Sequence, residues 1–296
     1  MTVMRGIFPI LITPFDAHER VDLDSLRNLV DFNIGAGVHG LGIALGSEIL
    51  KLSEAERNLV ISTVVDQTRG RVPVVVNTGA QASFTARLFS RQAQELGAAA
   101  VMCMPPSPLT ATEARSYFKA ISDEISLPIF VQDTLTTPVS AALIRQMADE
   151  SEHVRYAKIE SPPQPAQVQA AVGASGGLVT IFGGAGGTYL IEELRRGSVG
   201  TMPWPSQPHA FVRIWDLWQA DQQREATDLH EREIAPLGRL SGAGLRAGHT
   251  VHKEVLRRQG VIATSVVRGP ADPLDEATRY ELDELCARLG IGSAVV

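Results

Sequence analysis

The residues of this sequence best suited to chemistry stand at the ends of short apolar runs. The clearest is Lys158, near the C-terminal end of the stretch His153-Val154-Arg155-Tyr156-Ala157-Lys158-Ile159-Glu160, which reads as a buried strand. The chain has only four lysines (Lys51, Lys119, Lys158, Lys253) against 23 arginines. Lysine is nearly always kept out of cores unless paired, and burial disfavours its charged form. A neutral amine is a nucleophile that condenses with carbonyl groups. Two readings of Lys158 stand at this level: such a nucleophile, or a strand-end lysine reaching out to water along its own stem.

The elements that position it alternate in kind. Apolar runs at 6–15, 38–45, 72–77, 98–104, 128–132, 153–159, 178–182 and 199–202 read as strands, and each of the first seven is followed by an amphipathic segment. Ser53-x-x-Glu56 and Thr110-x-x-Glu113 are capping boxes, in which the hydroxyl caps the helix and the glutamate reaches back. Strands alternating with helices imply parallel pairing, and eight such units in about 205 residues predict a (β/α)₈ TIM barrel. A doubly wound sheet would show a glycine-rich fingerprint after its first strand, and none stands there. The cluster Gly183 to Gly187 comes too late for that role and lacks the lysine of a phosphate-binding loop. After Pro203 the pattern is helical only, with spans expected at 208–222, 225–236, 244–259 and 275–289. The expected organisation is a barrel over 1–205 and a C-terminal helical extension over 206–296, packed on the barrel or at a homo-oligomer interface (dimer or tetramer).

Active sites of such barrels sit at the C-terminal ends of the strands. Those ends present Thr13, Ser47 and Glu48, Asn77, Gln132 and Asp133, Lys158, Gly183 and Met202. Lys158 is the nitrogen nucleophile of the set. The rest are hydroxyls, amides, carboxylates and glycines whose N–H groups suit a carboxylate. That collection fits a 2-oxo acid, with the lysine attacking the ketone and the donors holding the acid group. No His, Cys, Asp and Glu cluster has metal-ligand spacing, so neither a metal nor a cofactor is expected. His249 and His252 are read as surface or interface residues.

Composition narrows the class. A net charge of −6 without a basic run argues against nucleic acid and anionic membrane as partners. No apolar run reaches the roughly 18 residues that a membrane span needs. The two cysteines, Cys103 and Cys286, are expected reduced, in keeping with a cytoplasmic protein. With 44% hydrophobic residues the chain can bury a sizeable core.

Across nearly its whole length the sequence resembles the dihydrodipicolinate synthase and N-acetylneuraminate lyase family of class I aldolases. Gly6-x-x-Pro9-x-x-x-Thr13-Pro14-Phe15 looks like the family's first-strand motif, and Leu52-Ser53-x-x-Glu56-Arg57 matches the segment after the second strand. Ala44-Leu45-Gly46-Ser47-Glu48 occupies the place of the family's Gly-Thr-Thr-Gly-Glu loop, which adds Gly46 to the expected substrate-binding residues. Lys158 followed by Glu160 resembles the lysine strand, so the resemblance implies that Lys158 forms the Schiff base. The departures are as informative. Gln132 stands where the family has a proton-relaying tyrosine, and an amide does not titrate near neutral pH. A second tyrosine is replaced around Pro105 to Pro108, and Thr136-Thr137-Pro138 lacks the synthases' carboxylate-binding arginine. Dihydrodipicolinate synthase activity is therefore not expected. Glu48, Asp133 and Tyr156 are the candidates for moving protons in its place. The leading expectation is a Schiff-base lyase or aldolase acting on a pyruvate-like 2-oxo acid. The alternatives are an imine-dependent dehydratase or deaminase of a sugar acid or amino-acid derivative, and a non-catalytic barrel that binds a small acid.

Overall fold

Runs of valine, isoleucine and alanine flanked by glycine and proline favour fully buried strands, since parallel sheets are covered on both faces. The computed structural model describes residues 3–242, 247–271 and 273–292, and shows eight such strands among them. They are β1 (Gly6–Ile7), β2 (Leu41–Ile43), β3 (Val74–Asn77), β4 (Ala100–Cys103), β5 (Ile129–Gln132), β6 (Val154–Ile159), β7 (Thr180–Gly186) and β8 (Gly200–Pro203). The helices are α1 (Leu23–Gly35), α2 (Glu54–Thr68), α3 (Ser83–Glu95), α4 (Ala111–Ser122), α5 (Ala141–Glu150), α6 (Gln164–Ser175), α7 (Leu190–Leu194) and α8 (Pro208–Gln219). After them come α9 (Gln223–Leu229), α10 (Ala235–Ser241), α11 (Ala247–Arg258) and α12 (Glu276–Arg288).

The described chain divides into two compact units. One holds the segment ending at Phe8, His39–Ala44 and Val72–Pro203, and the other holds Pro9–Val38, Leu45–Arg71 and the segment beginning at Trp204.

The first unit contains all eight strands in the order β1-β8-β7-β6-β5-β4-β3-β2, every pairing parallel. Ahead of β2, the His39 amide donates to Ile7 O of β1 at 2.9 Å, so the two outermost strands of that order also meet. This is the curled parallel sheet of the (β/α)₈ fold. Its interior is filled by aromatic side chains. Phe8 meets Phe182 edge-on at 5.4 Å, and Phe130 stacks on Tyr156 at 4.5 Å.

Two strands differ from expectation. The first is paired over Gly6–Ile7 only, although Phe8 to Phe15 stays buried. Pro9 and Pro14 have no N–H to give to a ladder, which shortens the pairing. The seventh runs on through the glycines to Gly186, with a register shift against β8 between Gly183 and Gly186. Gly186, at φ 69°, is in the left-handed region that glycine enters without strain.

The second unit is helical. Both capping boxes form as expected, that of Ser53 here and that of Thr110 at α4 of the first unit. The helix expected over 225–236 begins at Gln223 and continues through a π-helical turn at His230–Ile234 into α10. The first residues of the helix expected from Gly244 lie outside the described residues. Leu237, Leu240, Val251, Val255, Leu282, Leu285 and Cys286 close a core between α10, α11 and α12.

Candidate functional site

In the first unit, four strand ends meet in one hydrogen-bonded chain. Asn77, closing β3, donates its amide to Gln132 Oε1 at 3.2 Å. Gln132, closing β5, donates through Nε2 to Glu160 Oε2 at 2.9 Å. Glu160 follows β6, and its Oε1 lies 3.0 Å from Lys158 Nζ. The same oxygen accepts the Ala185 amide of β7 at 3.1 Å. The lysine is buried, and the carboxylate beside it offsets the desolvation that a lone ammonium would suffer there. Lys158 does not snorkel to water. Gly184 is what lets β7 approach, since a Cβ there would stand 2.8 Å from Lys158 Cε and 2.5 Å from Glu160 Cγ.

Glu160 was not among the expected site residues. The signal was present, because side chains alternate along a strand and 156, 158 and 160 share a face. The candidate drawn from that rule, Tyr156, lies at the other end. Its hydroxyl accepts the Met4 amide at 3.1 Å, and its ring belongs to the core.

Three further expected residues have the following surroundings. Asp133, expected as a second proton mover, is saturated as a loop anchor. Its Oδ1 accepts the Val139 amide at 2.7 Å, and its Oδ2 accepts the Ser161 amide at 2.9 Å, the Ser161 hydroxyl and the Glu160 amide. It fixes the backbone on which Glu160 sits. Gly183, expected to offer its N–H to substrate, gives it to Ser198 Oγ at 3.2 Å. Its α-carbon faces Glu193 of α7, because successive strand residues point to opposite faces. Met202 is buried in β8, as Lys158, Gln132 and Asn77 are in their strands.

The second unit gathers the other expected residues. Thr13 Oγ1 donates to Ser47 O at 2.6 Å. Gly46 packs against Ile10 and Trp204, where a Cβ would come within 3.1 and 3.3 Å of them, and its carbonyl accepts His249 Nε2 at 3.2 Å. The Trp204 ring therefore occupies the space where a larger residue would place its side chain. Burial holds the His249 pKa below its ordinary value, with the cationic Lys253 and Lys51 acting in the same direction and Glu48 opposing them. The Gly46 carbonyl can only accept, so Nε2 carries the proton that it donates.

Glu48, the first proton-moving candidate, is an ion-pair partner. It sits at φ 56°, a left-handed conformation uncommon outside glycine. Its Oε2 lies 2.6 Å from Lys253 Nζ and its Oε1 3.3 Å from Lys51 Nζ. Lys253 also donates to Val266 O at 2.8 Å and lies 4.4 Å from the centre of the Phe15 ring. Burial lowers its pKa to about 8 against the opposing pull of Glu48. Lys253 lies some 200 residues from Glu48 in the chain, and nothing in the local pattern of either residue announces the other.

Among the described residues, no group of three or more His, Cys, Asp or Glu side chains is placed to hold a metal ion. No helix among them is long and apolar enough to cross a membrane.

The fold has close parallels. Residues 3–150 match the model of the dihydrodipicolinate synthetase family. The chain is 33% identical over 294 residues to L-2-keto-3-deoxyarabonate dehydratase of Azospirillum brasilense, covering 96% of this chain and 94% of that one. It is 27% identical to N-acetylneuraminate lyase of Citrobacter koseri, covering 97% of each. The crystal structure of dihydrodipicolinate synthase from Rhodopseudomonas palustris superimposes with a TM-score of 0.89 at 28% identity, over 96% of this chain and 97% of that one. With the eight-stranded parallel sheet and the matches along almost its full length, the chain is a class I aldolase-like lyase and belongs to the dihydrodipicolinate synthetase family.

Proposed function

We propose that the protein is an imine-forming dehydratase of a 2-keto-3-deoxy sugar acid, with Lys158 as nucleophile and Glu160 as proton carrier. The observation that carries this is the 3.0 Å pair of Lys158 Nζ and Glu160 Oε1, with Glu160 fixed by Gln132 and the Ala185 amide. The Lys158 amine in its neutral form adds to the C2 ketone, and loss of water leaves a cationic imine. That imine draws electrons from C3, so the Glu160 carboxylate can take a C3 proton and leave an enamine. The enamine expels the C4 hydroxyl, which leaves as water with the proton returned by Glu160. Hydrolysis of the imine then frees the 3,4-unsaturated product and restores the lysine. A fixed carboxylate supplies the proton transfer that Gln132, in the family tyrosine's place, does not. The 33% identity to a keto-deoxy sugar acid dehydratase supports this reading over carbon–carbon cleavage.

In the same proposal the helices after Pro203 serve a homo-oligomer, which sedimentation of the purified protein tests. The chemistry is tested by borohydride reduction in the presence of pyruvate or 2-keto-3-deoxy sugar acids. An adduct on Lys158, absent from Lys158→Ala, is expected, with product water and no second carbonyl fragment. An unmodified lysine after a panel of 2-oxo acids refutes imine chemistry, and an aldehyde fragment refutes dehydration.

A further inference from the structure

Behind the site, on the outer face of β7, lies a carboxyl group that the proposed reaction does not use. Glu193 of α7 is 0% exposed, and neither of its oxygens makes a well-formed hydrogen bond among the described residues. A buried polar group with only weak partners is costly, and an apolar side chain of similar volume would avoid that cost. Its position is specific. A Cβ on Gly183 would stand 1.7 Å from Glu193 Oε2, and a Cβ on Gly184 would meet Lys158 and Glu160 on the opposite face. Two consecutive glycines thus let Glu193 and the Lys158–Glu160 pair close on the same stretch of backbone from its two sides.

The charged groups around Glu193 are few. Glu192 is on its own helix, and Glu160 and Lys158 act from beyond β7. The elements that α7 meets most, α6, β7 and β8, carry no titratable side chain, and Arg195 and Arg196 follow at the end of α7. Burial is the largest influence and pushes the pKa up to about 8, opposed by the Gly184 amide, reinforced by Glu160 and Glu192, and opposed by Lys158. The shift favours the neutral form at pH 7.

We infer that Glu193 is a positioning residue whose proton is coupled through the Gly183–Gly184 backbone to Glu160 and so sets how readily Glu160 takes a proton. Coupling between two titrating sites is mutual. If the Glu160 charge raises the proton affinity of Glu193, ionised Glu193 raises that of Glu160 equally. The neutral form keeps a second negative charge away from the base. The inference rests on the role given above to Lys158 and Glu160.

Two readouts test it separately from that role. The first is the thermal midpoint of the parent and of Glu193→Gln between pH 5 and 9, with Glu160 intact and again with Glu160→Gln. The folded pKa of Glu193 is raised, so the stability of its neutral form is fully present below 4.5 and is lost as pH rises towards about 8. Glu193→Gln therefore gains on the parent across that window. In the Glu160→Gln background the gain is expected to level off at a pH lower by about half a unit or more, because a like charge has been removed. The same levelling pH in both backgrounds overturns the coupling. The second readout is the pH profile of borohydride trapping of pyruvate. The parent's profile is expected to bend near pH 8, and that of Glu193→Gln to run straight through; superimposable profiles overturn the inference. If the parent traps no 2-oxo acid, the role of Lys158 falls while the stability comparison still decides the coupling. If Glu193→Gln does not fold, Glu193→Met carries the same comparisons.

Discussion

Replacing Lys253 by methionine removes the charge from a side chain that is 0% exposed while keeping most of its volume. The structure fixes what is lost: a 2.6 Å ion pair with Glu48, a 2.8 Å bond to Val266 O, and the contact with the Phe15 ring. Removing one partner of a buried pair costs about 3–5 kcal/mol, because the other charge is left uncompensated. Lys51 stays 3.3 Å from Glu48 and is itself 23% exposed, so part of the compensation survives and the lower end applies. A loss of about 3 kcal/mol corresponds to a fall of roughly 5 °C in the thermal midpoint for a chain of 296 residues. Calorimetry or urea unfolding at pH 7 measures it. The double variant Glu48→Gln with Lys253→Met removes both charges, and it is expected to regain at least half of the loss. A single-variant loss below about 1 kcal/mol, or a double variant no better than the single one, refutes the account of Glu48 as a buried ion-pair partner.

Three further outcomes are expected. Glu160→Gln keeps the Lys158 adduct in borohydride trapping but lowers turnover by about 10²–10⁴-fold, the usual range for loss of a positioned acid–base group. Gly184→Ala, whose Cβ would intrude on Lys158 and Glu160, keeps its circular-dichroism spectrum and loses the adduct. His252 is buried between Ser206 Oγ at 2.7 Å and Ser241 Oγ at 2.8 Å, and its pKa is lowered to about 3 chiefly by burial. Its folded value lies below the ordinary 6.5, so its contribution is present above pH 6.5 and is lost as pH falls from there towards 3. The stability difference between the parent and His252→Asn should therefore shrink from pH 7.5 to 5, as unfolding midpoints at the two values will show.

The fold was legible because its signals are local. Eight apolar runs separated by capped helices imply a parallel sheet whatever the loops contain. The Ser53 and Thr110 boxes form as their spacing requires. Strand lengths were less legible, because apolar residues can be buried without being paired. Phe8 to Phe15 is such a stretch. At the site, Lys158, Gln132 and Asn77 are found in one hydrogen-bonded chain as strand ends predict. Asp133 shows the limit of that reasoning. A carboxylate at a strand end is equally suited to receiving the amides of the next loop, and only the positions of Val139 and Ser161 decide between the two uses.

The scarcity of lysine carried more information than its first use drew from it. Lys119 pairs with Asp123 on the surface, which requires nothing special of lysine. Lys158 and Lys253 are both buried against a carboxylate, Glu160 and Glu48 respectively. Composition therefore marks both equally, and burial alone does not separate a nucleophile from a structural ion pair. Their surroundings do. Lys253 is held by Glu48, a backbone carbonyl and an aromatic face, each of which favours the ammonium form. Lys158 is held by a carboxylate that two other donors already fix in place, beside a glycine that adds no side chain of its own. In the proposed reaction such a carboxylate would keep its Gln132 and Ala185 bonds while the amine adds to a substrate. Under the proposed imine chemistry, that difference in surroundings, rather than burial or charge, is what favours Lys158 over Lys253 as the nucleophile.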